Sequence, residues 1–194
     1  MNELKALAKK WGTDKALYYC DFYDELLTDR RESVRKVLEF GIGDPKTMLA
    51  SVARMNQRSY ITGASLQMWE EYFPHASIFG LDYNQNILIN RGRIQSYYCD
   101  QGDPDCYKTI YPMLGKNFDL VIDDGSHLMI HQLLCLKMLF PLLKIGGLYV
   151  IEDAPWDASL LFNIGKMGDE YGDLTVKDFQ NNPLDPARVV VIRK

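Results

Sequence analysis

Leu120-Val-Ile-Asp-Asp-Gly-Ser-His127 and, further along, Leu148-Tyr-Val-Ile-Glu-Asp153 are apolar runs that each end in a pair of acids. A short continuous apolar run of this kind fits a strand buried on both faces, as in a parallel sheet covered by helices. In open α/β sheets ligands sit at the carboxyl ends of the strands. Asp123, Asp124, His127, Glu152 and Asp153 are therefore expected to converge on one crevice.

Outward from these two runs the chain keeps alternating. Strands are expected over 34–40, 77–82, 94–100, 118–123 and 147–152, and helical patterns over 84–91, 104–114 and the strongly apolar 128–143. A further amphipathic helix carries Leu66, Trp69 and Phe73. This alternation predicts a Rossmann-like, doubly wound α/β fold, with βαβ crossovers and a mostly parallel sheet. Two closing strands, 174–179 and 189–192 around a Pro-rich turn at 181–186, bring the sheet to seven strands with an antiparallel C-terminal strand. Residues 1–33 read as a helical cover and 44–62 as an insert that separates the first strand from its helix.

The 194 residues, 47% hydrophobic and 25% charged, fit one domain with a sizeable core. A net charge of −4 offers no basic footprint for a phosphate backbone, so nucleic acid is not an expected partner. Residues 1–10 lack the apolar segment of a signal peptide, and no run is long enough to span a bilayer. The expectation is a cytoplasmic protein without membrane contact; homo-oligomers stay open. Cys20, Cys99, Cys106 and Cys135 form no CxxC pair and read as reduced core thiols.

Glu39-Phe-Gly-Ile-Gly43 places an acid and two glycines at the end of the first strand, where backbone can approach a ligand closely. Asp44-Pro45-Lys46 breaks the GxGxxG entry into a helix that a pyrophosphate needs, and Pro45 spoils a P-loop reading of Lys46-Thr47. A nucleoside ligand without phosphate fits better. Asp82 follows Gly43 by 39 positions, or by 20 once the 19-residue insert is set aside, which is close to the spacing of a ribose-binding carboxylate. Asp100, in Tyr97-Tyr-Cys-Asp-Gln101, lies further along the same edge, where it could accept from an adenine amino group. The competing reading of each acid is a helix N-cap.

The ordered set Val37-Leu-Glu-Phe-Gly-Ile-Gly43, Gly80-Leu-Asp82, Asp119-Leu-Val-Ile-Asp-Asp124 and Leu143-Lys-Ile-Gly-Gly-Leu-Tyr-Val-Ile-Glu-Asp153 resembles the class I S-adenosylmethionine-dependent methyltransferases. More narrowly, Gly12-Thr-Asp-Lys15, Gly63-Ala-Ser-Leu-Gln-Met-Trp-Glu-Glu-Tyr-Phe-Pro74, Cys99-Asp-Gln101 and Asp123-Asp-Gly-Ser-His127 are similar to the mycinamicin- and tylosin-type sugar O-methyltransferases and their polysaccharide-cluster relatives. The likeness runs from about residue 11 to the last residue, with the insert after Gly43 as its departure. It implies S-adenosyl-L-methionine as cofactor, with Glu39, Gly41 and Gly43 at the methionine part and Ser65 at its carboxylate. Asp82 would take the ribose, and Asp100 with Gln101 the adenine; Asp123 belongs to the same cofactor set.

Methyl transfer from a sulfonium is an in-line displacement, so the protein must align an acceptor and remove its proton. Asp124, Glu152 and Asp153 are hard oxygen donors on neighbouring strand ends, suited to Mg²⁺, and His127 titrates in the range of a base. The resemblance assigns those same roles. The bland alternative is that the acids cap helices and the histidine is solvated. A zinc pair of His127 and His131, four apart on one helix face, lacks an HExxH glutamate and a nearby cysteine. Residues 154–172, with Pro155, Trp156, Phe162, Met167 and Tyr171, are expected to help build the acceptor pocket, and Trp11 to Lys15 with Tyr18 to close over the cofactor. The basic insert residues Lys46, Arg54 and Arg58 read first as a solvated loop, with contact to an anionic acceptor as the alternative. The sequence thus points to a Mg²⁺-assisted O-methyltransferase acting on a small molecule or glycoside. Its rivals are a nucleotide-dependent oxidoreductase, which would lack both GxGxxG and a Tyr-x-x-x-Lys pair, and a methyltransferase-like module without chemistry.

Overall fold

The computed structural model describes residues 2–156, 158–167, 171, 173–179 and 187–194. Its sheet is built from β1 (Lys36–Phe40), β2 (Ser77–Asp82), β3 (Ile94–Tyr98), β4 (Phe118–Asp123), β5 (Leu143–Ile151), β6 (Leu174–Phe179) and β7 (Ala187–Arg193). These lie in the order β3-β2-β1-β4-β5-β7-β6. Strands β1 to β5 pair in parallel, and β7 runs antiparallel to both of its neighbours. The chain turns from one half of the sheet to the other between β1 and β4. Phe40 is there in register with Asp123, so a crevice opens above two adjacent strand ends.

Helices cover both faces: α1 (Glu3–Trp11), α2 (Lys15–Tyr18), α3 (Cys20–Leu27), α4 (Leu49–Arg54), α5 (Ala64–Tyr72), α6 (Pro104–Leu114), α7 (Met129–Leu139) and α8 (Ser159–Lys166). Side chains alternate between two cores with the period of a strand. Val37, Ile78, Ile122 and Val150 pack with Leu4, Tyr23 and Trp69 from α1, α3 and α5. Leu38, Phe79, Val121 and Tyr149 pack with Tyr107, Leu136 and Leu160 from α6, α7 and α8. All four cysteines are free and buried.

Three expectations need correction. The helix expected over 84–91 is a single 3-10 turn, Gln85–Ile87. Local side chains satisfy this backbone instead: Asn84 Oδ1 accepts from Asn86 N, Asn90 Oδ1 from Ser96 N, and Ser96 Oγ from Ile89 N. The helix expected over 128–143 stops at Leu139, because Pro141 supplies no N–H; a 3-10 turn then leads into β5 at Leu143. The insert, expected as a loop or small excursion, contains the short helix α4. The turn expected over 181–186 lies outside the described residues.

Candidate active site

The loop after β1 gathers the site. Gly41 and Gly43 both adopt positive φ, 97° and 87°. A Cβ on Gly41 would stand 2.0 Å from the Asp124 carbonyl oxygen, so the β1 and β4 ends meet this closely only through glycine. Between them, Ile42 N–H donates to Asp82 Oδ2 at 2.9 Å, and the Ile42 carbonyl accepts from Gly63 N at 3.0 Å. The insert therefore leaves and rejoins the chain at one point, which keeps β1 and α5 in the relation of an uninterrupted strand-turn-helix. Its arm is tied down where Asn84 Nδ2 donates to Asp44 Oδ2 at 2.8 Å and Ser51 Oγ donates to Asp14 Oδ2 at 2.6 Å.

A cavity of about 710 Å³ opens above these strand ends. Gly41, Gly43, Ser65, Asp82, Asp100 and Gln101 line it, together with Asp124, His127, Asp153 and Trp156. Nine of the twelve residues expected from the sequence thus line one cavity. The other three, Glu39, Asp123 and Glu152, lie behind it and are buried to within 1%. Asp82 reaches the cavity with both carboxylate oxygens already accepting backbone N–H groups, from Ile42 and, at 2.9 Å, Asn84. Asp100 is exposed, one oxygen closing a turn on Gly102 N. The Gln101 amide braces the two strand ends: its Nε2 donates to Asp123 Oδ1 at 2.6 Å and its Oε1 accepts from Ser126 N at 2.8 Å. Burial pushes the Asp123 carboxyl up to about 7, although the Gln101 bond pulls the other way.

Behind the wall lies Lys15, whose side chain is 1% exposed. Its Nζ stands 2.7 Å from Asp124 Oδ2, 2.8 and 2.7 Å from the two oxygens of Glu152, and 3.1 Å from Glu39 Oε1. Tyr23 Oη adds a 2.5 Å bond to Glu152, and Trp69 Nε1 one of 3.1 Å to Glu39. Burial opposes the Lys15 charge, but Asp124, Glu152 and Glu39 hold its ammonium well above the usual lysine range. Burial also raises the Asp124 carboxyl; Lys15 and His127 outweigh it and hold that group down to about 2.

His127 and Asp153 face each other across the front of this layer. His127 Nε2 lies 3.3 Å from Asp124 Oδ1 and 3.7 Å from Asp153 Oδ2, while Tyr19 Oη donates to Asp153 Oδ1. Both residues sit in the left-handed region, at φ 57° and 47°, a strained conformation for residues other than glycine that is typical of functional loops. Partial burial works against protonation of His127, but Asp124 and Asp153 overcome it and raise the imidazole to about 9. One ligand atom each from Asp124, His127 and Asp153 falls within 4.8 Å of the others, close enough to share an ion. Glu152 stands outside this trio, its oxygens turned to Lys15 and Tyr23.

The positive φ at His127 also settles the histidine pair. The helix begins only at Met129, so the two histidines do not share a helix face. His131 lines the cavity instead, its Nδ1 2.8 Å from Ser126 Oγ. Of the expected acceptor residues, Pro155 and Trp156 line the cavity, whereas Met167 and Tyr171 are half-buried against the second core, Tyr171 with its ring 4.9 Å from that of Phe140. Lys15, Tyr19 and Tyr23 were not singled out as partners of the acids, because no periodicity places residues more than a hundred positions apart.

A mostly parallel seven-stranded sheet with this crevice, glycine turn and run of strand-end acids is the fold of a class I S-adenosylmethionine-dependent methyltransferase. No protein-family model matches the chain. It is 36% identical over 160 residues to demethylmacrocin O-methyltransferase of Streptomyces fradiae, covering 81% of this chain and 37% of that protein. It is 35% identical over 159 residues to mycinamicin VI 2''-O-methyltransferase of Micromonospora griseorubida, covering 80% and 37%. The MycE methyltransferase of the mycinamycin biosynthetic pathway, solved in complex with Mg, SAH and mycinamycin VI, superposes with a TM-score of 0.74 at 27% identity, over 98% of this chain and 54% of that one. Within that class the chain is similar to these O-methyltransferases. It spans little more than a third of the length of these curated relatives.

Proposed function

We propose that this chain is an S-adenosylmethionine-dependent O-methyltransferase, assisted by Mg²⁺, whose acceptor is a hydroxyl group of a small molecule or glycoside. The observation that carries this reading is one cavity lined both by nucleoside-type contacts, Gly41, Gly43, Asp82 and Asp100, and by His127, Asp124 and Asp153. The curated relatives are O-methyltransferases, three of them named for olivosyl- or rhamnosyl-bearing acceptors, and support the same reading.

The residues fit both groups. The glycine turn leaves backbone at the cavity wall, and Asp82 keeps acceptor capacity beyond its two backbone bonds for ribose hydroxyls. Asp124 and Asp153 present hard oxygen donors close together, and Glu152 adds a third carboxylate directly behind Asp124. When bound, the cofactor supplies a methyl group on a positively charged sulfur, and the ion supplies charge that acidifies an acceptor hydroxyl. The chain's own work is then positional. Trp156 and Pro155 bound the acceptor side, and Asp124 and Asp153 orient the His127 ring. The His127 imidazole takes the hydroxyl proton as the new O–C bond forms and the S–C bond breaks, its electron pair remaining on sulfur.

Thermal-shift measurements with S-adenosylhomocysteine and with NAD, each with Mg²⁺ or EDTA, test the reading. S-adenosylhomocysteine should raise the Tm and NAD should not. Stabilisation by NAD alone would replace it with a nucleotide-dependent oxidoreductase.

A further inference from the structure

We propose that Lys15 is the resident cation of the reaction edge, a positioning residue whose ammonium draws Asp124, Glu152 and Glu39 into one cluster and so sets the carboxylate that His127 faces. Three strands contribute those acids: β1 carries Glu39, while Asp124 and Glu152 directly follow β4 and β5. Carboxylates brought this close repel one another, and each is costly to bury without a counter-charge. Among the described residues Lys15 is the one buried lysine or arginine, and its Nζ lies within 3.1 Å of all three. Packing alone would be met more cheaply by an apolar side chain of similar length, so a lysine here points to charge as its purpose.

The way the chain delivers Lys15 supports this. Gly12 ends α1 at φ 75° and turns the backbone inward, where the next residues meet the insert as well as the acids. A Cβ on Gly12 would stand 2.8 Å from the Gln57 amide, and Asp14 accepts from Ser51 on α4 at 2.6 Å. Two successive residues thus divide the work: Asp14 holds the insert beside the cavity, and Lys15 holds the strand-end acids. Asp124 presents one oxygen to Lys15 and the other to His127, so the ammonium orients the histidine through a shared carboxylate.

The test is the stability of Lys15→Met in EDTA and in saturating Mg²⁺. Loss of one partner of a buried ionic cluster should lower the Tm by on the order of 10 °C in EDTA. Mg²⁺ should restore at least half of that loss while moving the parent protein far less, because an outside cation can replace the missing charge and a packing defect gains nothing from one. Lys15→Met combined with Glu152→Gln removes charge from both sides. It should be more stable in EDTA than Lys15→Met alone and should respond less to Mg²⁺. Should the single variant fail to fold, a folded double variant carries the proposal, and a double variant that also fails overturns it. An unchanged Tm in Lys15→Met, or a loss that neither Mg²⁺ nor the second substitution repairs, overturns it too. Only the effect on His127 rests on the methyl-transfer reading. The stability measurements need no turnover, so their failure is distinct from that of the proposed function.

Discussion

Asp82 Oδ2 accepts a hydrogen bond from the Ile42 backbone N–H at 2.9 Å, so the acid proposed to hold a ribose also folds the glycine turn that borders the rest of the cofactor. One side chain therefore couples the two halves of the binding wall. Removing it leaves two N–H groups, of Ile42 and Asn84, without their carboxylate. Asp82→Ala should cost about 3 kcal/mol of stability, seen in denaturant unfolding. Asp82→Asn keeps the shape and one acceptor oxygen, so it should fold better yet bind S-adenosylhomocysteine at least about tenfold more weakly. Calorimetric titration showing parental affinity in Asp82→Asn would remove Asp82 from the ribose role.

His127→Ala should lower turnover by roughly 10²- to 10⁴-fold, the usual contribution of a general base, and leave S-adenosylhomocysteine affinity within about threefold. Asp124 and Asp153 raise the imidazole to about 9, and a base must first lose its proton. Activity at low Mg²⁺ should therefore climb with pH towards 9. Asp153→Asn removes one of the charges responsible and should shift that climb to lower pH. A pH–rate profile with the same midpoint in both proteins would separate His127 from the reaction.

Asp123 makes a distinct prediction about folding. Its carboxyl is held near 7 in the folded chain against 3.8 in the unfolded one, chiefly by burial, so the folded state keeps a proton that the unfolded state releases. Its contribution to stability is complete below about pH 4 and is lost as the pH rises through 7. Asp123→Asn cannot ionise, so its Tm should fall less than the parent's between pH 5 and 8. Parallel Tm curves across that range would place the loss of stability elsewhere.

Two glycines contrast sharply. Gly41→Ala would drive a methyl group to 2.0 Å from the Asp124 carbonyl oxygen at φ 97°, and should cost at least about 3 kcal/mol. Gly165 in α8 has nothing within 4 Å of the corresponding position. Gly165→Ala should stabilise by about 0.5–1 kcal/mol, and urea unfolding of the two variants should move the midpoint in opposite directions.

The five parallel strands were legible because burial on both faces writes continuous apolar runs such as Leu120 to Ile122 and Leu148 to Ile151 into the chain. The segment after Asp82 was harder to read, since its helical spacing competes with Asn84, Asn90 and Ser96, whose side chains bond the backbone in other conformations. In α7 the apolar pattern continues past the helix end, and it is Pro141 that stops the hydrogen-bond ladder. The insert hid the link from β1 to α5, which is made by the Gly63–Ile42 backbone bond and by Trp69 Nε1 on Glu39.

The local pattern of the chain carried the parallel sheet, the strand-end position of the acids and the glycine turn, because each of these follows from periodicity or from the chemistry of neighbouring residues. Which acids face the cavity and which lie behind it depended on contacts between positions more than a hundred residues apart. Lys15 reaches Asp124 and Glu152 across 109 and 137 positions. The aim of His127 and Asp153 depended on backbone angles, 57° and 47°, that neither residue favours in isolation. Such strain persists only because the surrounding packing leaves the chain no alternative, and that packing is assembled only when the whole fold is.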